Sequence, residues 1–154
     1  MQHIILIGLP GSGKTSAGQR IARRFCLPFV DADHVFEAQA WQSITSYFAQ
    51  HGEAAFRAQE TATLRNILAA QEPCVLSTGG GAVLRAENRA LLKAGGTVVY
   101  LLAQPNAIYQ RLRNDTQRPL LQVANPRAKI KALFEERDAL YRETAHLLVE
   151  TGSN

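Results

Sequence analysis

Gly8-Leu9-Pro10-Gly11-Ser12-Gly13-Lys14-Thr15 matches G-x-x-x-x-G-K-[ST] at every specified position. The chemistry these residue types support is the holding of a polyphosphate. Glycines let the backbone curl and aim successive N–H groups at phosphate oxygens. Lys14 is placed to reach β- and γ-phosphates, and the Thr15 hydroxyl to ligate Mg²⁺. The flanks agree. His3-Ile4-Ile5-Leu6-Ile7 is an apolar, β-branched run, read as a buried strand. After Lys14, apolar Ala17, Ile21, Ala22 and Phe25 recur at helical spacing between Gln19, Arg20, Arg23 and Arg24. The start of that helix adds partial positive charge to the loop. A glycine turn before an ordinary helix is the plain alternative, and it leaves Lys14-Thr15 unexplained.

Three further groups carry chemistry. Asp31-Ala32-Asp33 ends a short apolar run from Pro28. In an extended segment, residues two apart point to one side, so both carboxylates face one site. Asp33 is also a candidate N-cap for a helix through Val35 and Phe36. Gly79-Gly80-Gly81 follows the apolar run Cys74–Thr78. Bare backbone there permits close approach of a ligand to N–H groups, with a flexible turn as the plain alternative. Arg57 and Glu60 are i and i+3 neighbours on a helix. On periodicity alone they read as a surface ion pair that contributes little.

The elements that must position these groups alternate between strand and helix. Ser43 is a plausible cap for a short helix, and a longer helix follows Gly52 to about Ala70, with Phe56, Glu60, Leu64 and Ile67 on one face. A helix spans Ala86 to Lys93 and stops at Gly95-Gly96. Thr97–Leu102 is the fourth strand, Pro105 opens a helix to about Arg113, and Asn125-Pro126 caps one through Leu133 and Leu140. His146–Glu150 is the fifth strand. Residues 114–125 show no period and include Arg118-Pro119, which reads as a lid over phosphates. This alternation means α/β with a parallel sheet, whose active residues cluster at the carboxyl ends of the strands.

Composition sets bounds. The 154 residues fit one domain with a proper core, and 46% hydrophobic with 19% charged residues are globular values. No apolar run approaches the roughly 18 residues of a membrane span. The first strand begins so early that no signal peptide is expected. Cys26 and Cys74 lie in apolar stretches and read as two buried thiols in a reducing, cytoplasmic setting. Net charge is +4, yet no Lys/Arg run exceeds two residues and aromatics are not interleaved with them. The excess reads as arginines serving anionic small molecules, with no nucleic-acid or membrane role.

Taken together, these motifs resemble those of shikimate kinases over nearly the whole chain. The matches are Gly8 to Ser16, Asp31-Ala-Asp33, Gly52-Glu-Ala-Ala-Phe-Arg57 with Glu60, Ser77-Thr-Gly-Gly-Gly-Ala82, Arg118-Pro-Leu-Leu121 and Arg137-Asp-Ala-Leu-Tyr141. The resemblance implies a three-layer P-loop kinase fold whose five-stranded parallel sheet has the order 2-3-1-4-5. It implies transfer of the ATP γ-phosphoryl to the shikimate 3-hydroxyl by a monomer, with Mg²⁺. Gly11, Ser12, Gly13, Lys14, Thr15 and Ser16 would hold the phosphates, and Arg111 would pack near adenine. Asp33 would hold the hydroxyl and take its proton. Thr15, and Asp31 through water, would serve the metal. Arg57 and Arg137 would hold the shikimate carboxylate, with Glu60 orienting Arg57. Gly80, between Gly79 and Gly81, would contact the hydroxyls. Arg118 would neutralise charge on the transferring phosphoryl. The catalytic group is then Lys14, Asp33 and Arg118, within one domain containing a substrate region of about 33–62 and a lid of about 114–125.

Two departures from the family stand out. Gln42 stands where a glycine is usual, and the family continues past the fifth strand where this chain reaches Asn154. Two other functions share part of the pattern. A gluconate kinase would keep the phosphate loop and lid without needing Arg57 and Arg137. A non-catalytic phosphate-loop domain would not need Lys14, Thr15 and Asp33 together.

Overall fold

The computed structural model describes residues 2–113 and 123–151. The region around Arg118 therefore lies outside the described residues. Strand β1 (His3–Ile7) leads into the glycine loop and α1 (Lys14–Phe25). Then come β2 (Phe29–Asp31), α2 (Ala32–Ala40), α3 (Ile44–Leu68) and β3 (Val75–Ser77). A 3₁₀ turn (Ala82–Leu84), α4 (Ala86–Gly95), β4 (Gly96–Ala103), α5 (Pro105–Leu112), α6 (Pro126–Thr144) and β5 (Leu147–Thr151) follow. All pairings are parallel and the order is β2-β3-β1-β4-β5.

β1 is central and fully covered, with Ile5, Leu6 and Ile7 inaccessible to solvent. Strand alternation sends Ile5 and Ile7 to one face and Leu6 to the other. On the first face they join Leu76, Val98, Tyr100, Leu92, Ile130 and Tyr141. On the second, Leu6 joins Val75, Val99, Leu101 and Ala22 of α1. α1 lies close to the sheet because Gly18 has no side chain. A Cβ there would strike the Phe29 ring.

Register aligns the chemistry. Leu6 is level with Ser77, and Ser77 with Asp31. The N–H and the hydroxyl of Thr78 both donate to the Leu6 carbonyl, at 3.2 and 3.1 Å. The glycine loop, the aspartates and the glycine triplet therefore leave neighbouring strands at one level. From β1 the chain crosses outward to β2. From β3 it crosses the other way, past β1, to β4. The crevice at such a reversal is where open α/β sheets bind ligands.

Most expected elements are present, with two corrections. α2 is capped by Asp31, not Asp33: Asp31 Oδ1 accepts from the N–H groups of Asp33 and His34 at 2.9 and 3.3 Å. Asp33 sits in the first helical turn, so the strand-to-helix turn, rather than a continuous strand, sets the pair. Cys26 is exposed and only Cys74 is buried. Phe25 is also 48% exposed, because α1 ends there on a left-handed Cys26. In the loop before Ser43 the left-handed residue is Trp41 (φ 57°). Gln42 accepts from the Ser46 hydroxyl at 3.0 Å.

Gly52 breaks α3 into the expected short and long helices, with φ of 86° and ψ of 169°. Ser43 caps the first, accepting from the Ser46 N–H at 3.1 Å, and Asn125 caps α6 by accepting from Ala128 N–H at 3.1 Å. Among the described residues no helix is long and apolar enough to cross a membrane.

Candidate active site

The phosphate loop needs glycine where the chain turns through left-handed space. Gly11 and Gly13 have φ of 82° and 97°. Gly13 caps α1 without a side chain, so the first N–H groups of the helix face outward. Lys14 Nζ donates to the carbonyls of Gly8 and Leu9, at 2.7 and 3.0 Å, which holds the ammonium over the loop. Ser12 is completely buried inside the turn. Arg111, from α5, donates to the Gly11 carbonyl at 2.8 Å and so stands directly beside the loop.

A cleft of about 580 Å³ opens from this loop. Lys14, Thr15 and Ser16 line one side, Asp31 and Asp33 another, and Gly79 and Gly80 a third. Burial pushes the Asp33 carboxyl above its ordinary range, and the nearby Asp31 charge adds to this. Lys14 pulls in the opposite direction. Asp33 is thus a poorly hydrated carboxylate whose affinity for a proton is enhanced.

The three glycines have steric roles, each against a different partner. A Cβ on Gly79 would lie 2.8 Å from Asp33 Oδ1. One on Gly80 would lie 2.8 Å from Pro10 of the phosphate loop and 3.4 Å from Arg137 Nη1. One on Gly81 would lie 2.6 Å from Arg57 Nη1. The row accordingly brings Asp33, Arg57 and Arg137 together from α2, α3 and α6. Arg57 and Arg137 belong to the side of the sheet that carries Asp33.

Arg57 is held from several directions. Its Nη1 donates to Glu60 Oε1 at 2.9 Å, and its Nε donates to Glu53 at 3.5 Å. Its guanidinium carbon lies 5.1 Å from the Phe56 ring centroid and 5.9 Å from that of Phe48. The expected surface ion pair is instead buried, with the Arg57 and Glu60 side chains 15% and 6% exposed. Burial raises the Glu60 pKa, and the Arg57 charge opposes the rise. Such a pair stays charged only while both partners are present.

On α6, Arg137 is half-buried and its Nε has no hydrogen-bond partner in the protein. A buried guanidinium donor left over is unusual and points to an anionic ligand. Tyr141, one turn on, donates its hydroxyl to the Gly80 carbonyl at 2.5 Å. Burial holds this phenol neutral, its pKa pushed up to about 12 despite the adjacent Arg137. Its ring packs on Tyr100, with centroids 4.9 Å apart, and the Tyr100 hydroxyl donates to Asp138 at 2.7 Å.

The support around Arg57 and Gly80 is what sequence reasoning missed. Phe48 and Phe56 fall on either side of the Gly52 break, so helical periodicity does not connect them. Tyr100 and Asp138 meet across the fold, and nothing local marks that pair. The described residues contain no group of three or more His, Cys, Asp or Glu side chains able to hold a metal by themselves. Thr15 and Asp31 in one cleft suit an ion that takes few protein ligands and completes its shell with water and phosphate, as Mg²⁺ does.

Comparison with known proteins is consistent with this arrangement. The family model described as shikimate kinase matches residues 10–154. A curated shikimate kinase of Ralstonia nicotianae is 48% identical, over 99% of this chain and 80% of its own length. The structure of shikimate kinase from Acinetobacter baumannii in complex with shikimate superposes with a TM-score of 0.94 at 41% identity, covering 100% of this chain and 86% of that one. A gluconokinase structure from Sinorhizobium meliloti reaches a TM-score of 0.60 at 19% identity, covering 99% and 84%, which is a likeness of fold alone.

Proposed function

The chain belongs to the shikimate kinase family, and on that footing we propose that it transfers the γ-phosphoryl of ATP to the 3-hydroxyl of shikimate, giving shikimate 3-phosphate and ADP. The observation that carries the substrate is the convergence of Arg57 and Arg137 on the glycine row beside Asp33. A second planar guanidinium with an unused buried donor is what a ring carboxylate requires. A gluconate kinase needs the phosphate loop but not this pair, and the gluconokinase likeness extends only to the fold.

In this reading Gly11 to Ser16 hold the triphosphate through backbone N–H groups and the start of α1. Lys14 supplies an ammonium to the β- and γ-phosphates, and Arg111 borders the nucleotide at the loop. Arg57 and Arg137 fix the substrate carboxylate, which fixes the ring. The 3-hydroxyl then lies at Asp33, which orients it and accepts its proton as the new bond to phosphorus forms. Phosphoryl transfer has a loose transition state, so positioning and charge neutralisation matter more than base strength. Thr15, and Asp31 through water, would hold Mg²⁺, which when bound neutralises charge on the phosphates. Arg118 belongs to the lid of 114–125 and adds a cation there. Residues 33–62 form the substrate region of a single domain. We take the enzyme to act as a cytoplasmic monomer without nucleic-acid or membrane partners.

ADP release with ATP alone, with shikimate and with gluconate tests the assignment. Release that depends on shikimate, and is abolished by Lys14→Ala and by excess chelator, is expected. Equal release with gluconate, or release insensitive to both treatments, overturns it.

A further inference from the structure

A buried polar cluster that the functional site does not use lies between α3 and α4. Thr61 is 3% exposed and Asn88 is inaccessible to solvent. The Thr61 hydroxyl oxygen lies 2.6 Å from the Asn88 side-chain oxygen, 3.0 Å from the Arg57 carbonyl and 3.2 Å from Arg85 Nη1. Arg85 Nη1 also lies 3.4 Å from the Arg57 carbonyl. A hydroxyl has one hydrogen, yet two acceptors claim it, while the Asn88 amide nitrogen is buried without a partner. Turning the Asn88 amide end for end removes the competition at Thr61 and brings the amide nitrogen to the hydroxyl, with the oxygen then where the nitrogen had no partner. Thr61 then donates to the Arg57 carbonyl and accepts from the Asn88 amide and from Arg85.

The cluster couples two elements that must hold a fixed gap. The glycine row continues without slack into α4. Ala82 N–H donates to the Gly79 carbonyl and Leu84 N–H to the Gly81 carbonyl, both at 3.1 Å. Asn88 is thus rigidly linked to Gly81, and Thr61 is one helical turn from Arg57. The Arg57 guanidinium lies so close to Gly81 that a side chain there would collide with it. Its position is set by how α3 sits on α4, and Thr61 with Asn88 is the buried hydrogen-bonded contact between them.

We propose that Thr61 and Asn88 are positioning residues for the Arg57 guanidinium, fixing it against Gly81 for the substrate carboxylate. The proposal rests on the reading of the site as a shikimate clamp. A polar link inside an apolar interface specifies one seating of the two helices, whereas apolar contacts alone tolerate sliding.

The test is steady-state kinetics on Thr61→Val, Thr61→Ser and Asn88→Ala, alongside thermal unfolding. Thr61→Val should raise the shikimate KM roughly 5- to 10-fold, the scale of one lost hydrogen bond. The ATP KM and kcat should stay within about twofold, since the phosphate loop is untouched. Thr61→Ser, which keeps the hydroxyl, should restore the wild-type KM. Asn88→Ala should act in the same direction, and combined with Thr61→Val should give less than the product of the two effects. In an Arg57→Ala background, Thr61→Val should no longer change the shikimate KM. A lower melting temperature with unchanged shikimate KM, or a Thr61→Val effect that persists at full size without Arg57, overturns the proposal. Absence of shikimate-dependent turnover in the wild type would instead overturn the functional reading beneath it.

Discussion

Glu60 and Arg57 show how a buried ion pair sets a pH dependence. Burial raises the Glu60 pKa while Arg57 opposes the rise, and the net direction is upward. A carboxyl whose folded pKa exceeds its unfolded value binds more protons in the fold over that window. Its contribution to stability therefore falls as pH rises through the window. Function runs the other way, because protonated Glu60 no longer anchors Arg57. The shikimate KM should rise on acidification, starting above the ordinary glutamate pKa of about 4.3. Glu60→Gln should have a raised KM that lacks this limb; an identical limb in the variant would remove Glu60 from the cause. Gly81→Ala offers a steric counterpart. Its methyl would fall on the Arg57 guanidinium, so shikimate KM should rise more than ATP KM, as steady-state assays would show.

At the scale of elements, the end of α2 carries a conformational cost that α1, ending on a left-handed Cys26, shares and α4 does not. Trp41 is held at φ 57° with 92% of its surface in solvent, so it bears left-handed strain without packing in return. Left-handed backbone costs an L-residue on the order of 1–2 kcal/mol, and glycine loses part of that gain through unfolded-state freedom, on the order of 0.5–1 kcal/mol. Trp41→Gly should thus stabilise the protein by roughly 0.5–1 kcal/mol in denaturant unfolding. A clear loss of stability would mean that the ring has a packing role. The aspartate pair teaches a related lesson about boundaries. Asp31 and Asp33 both suit a cap, and the choice depends on where β2 ends, which propensity does not locate to a residue. Asn125 was legible because Pro126 beside it marks the first helical position.

Across the whole molecule, the phosphate loop, the aspartate pair and the glycine row could be read as motifs because each sits at the end of a strand. Gly8 and Gly79 follow β1 and β3 and Asp31 ends β2, and a parallel sheet brings such ends into one row. The burial of Glu60 was not legible, since it depends on Gly79 arriving against α3 from another strand. The exposure of Phe25 and Cys26 was hidden for the same reason: periodicity marks a helix face but not where the sheet beneath it stops. What the assembled fold adds is the meeting of Arg57 and Arg137, from distant helices, on one glycine row. Calorimetric titration of shikimate and, separately, of ATP into the wild type and Arg137→Ala tests that meeting most directly. A charge-assisted contact contributes about 1.5–3 kcal/mol, so the variant should bind shikimate roughly 10- to 100-fold more weakly. Its ATP affinity should be unchanged. Wild-type shikimate affinity in Arg137→Ala, or an equal loss for both ligands, would contradict the clamp.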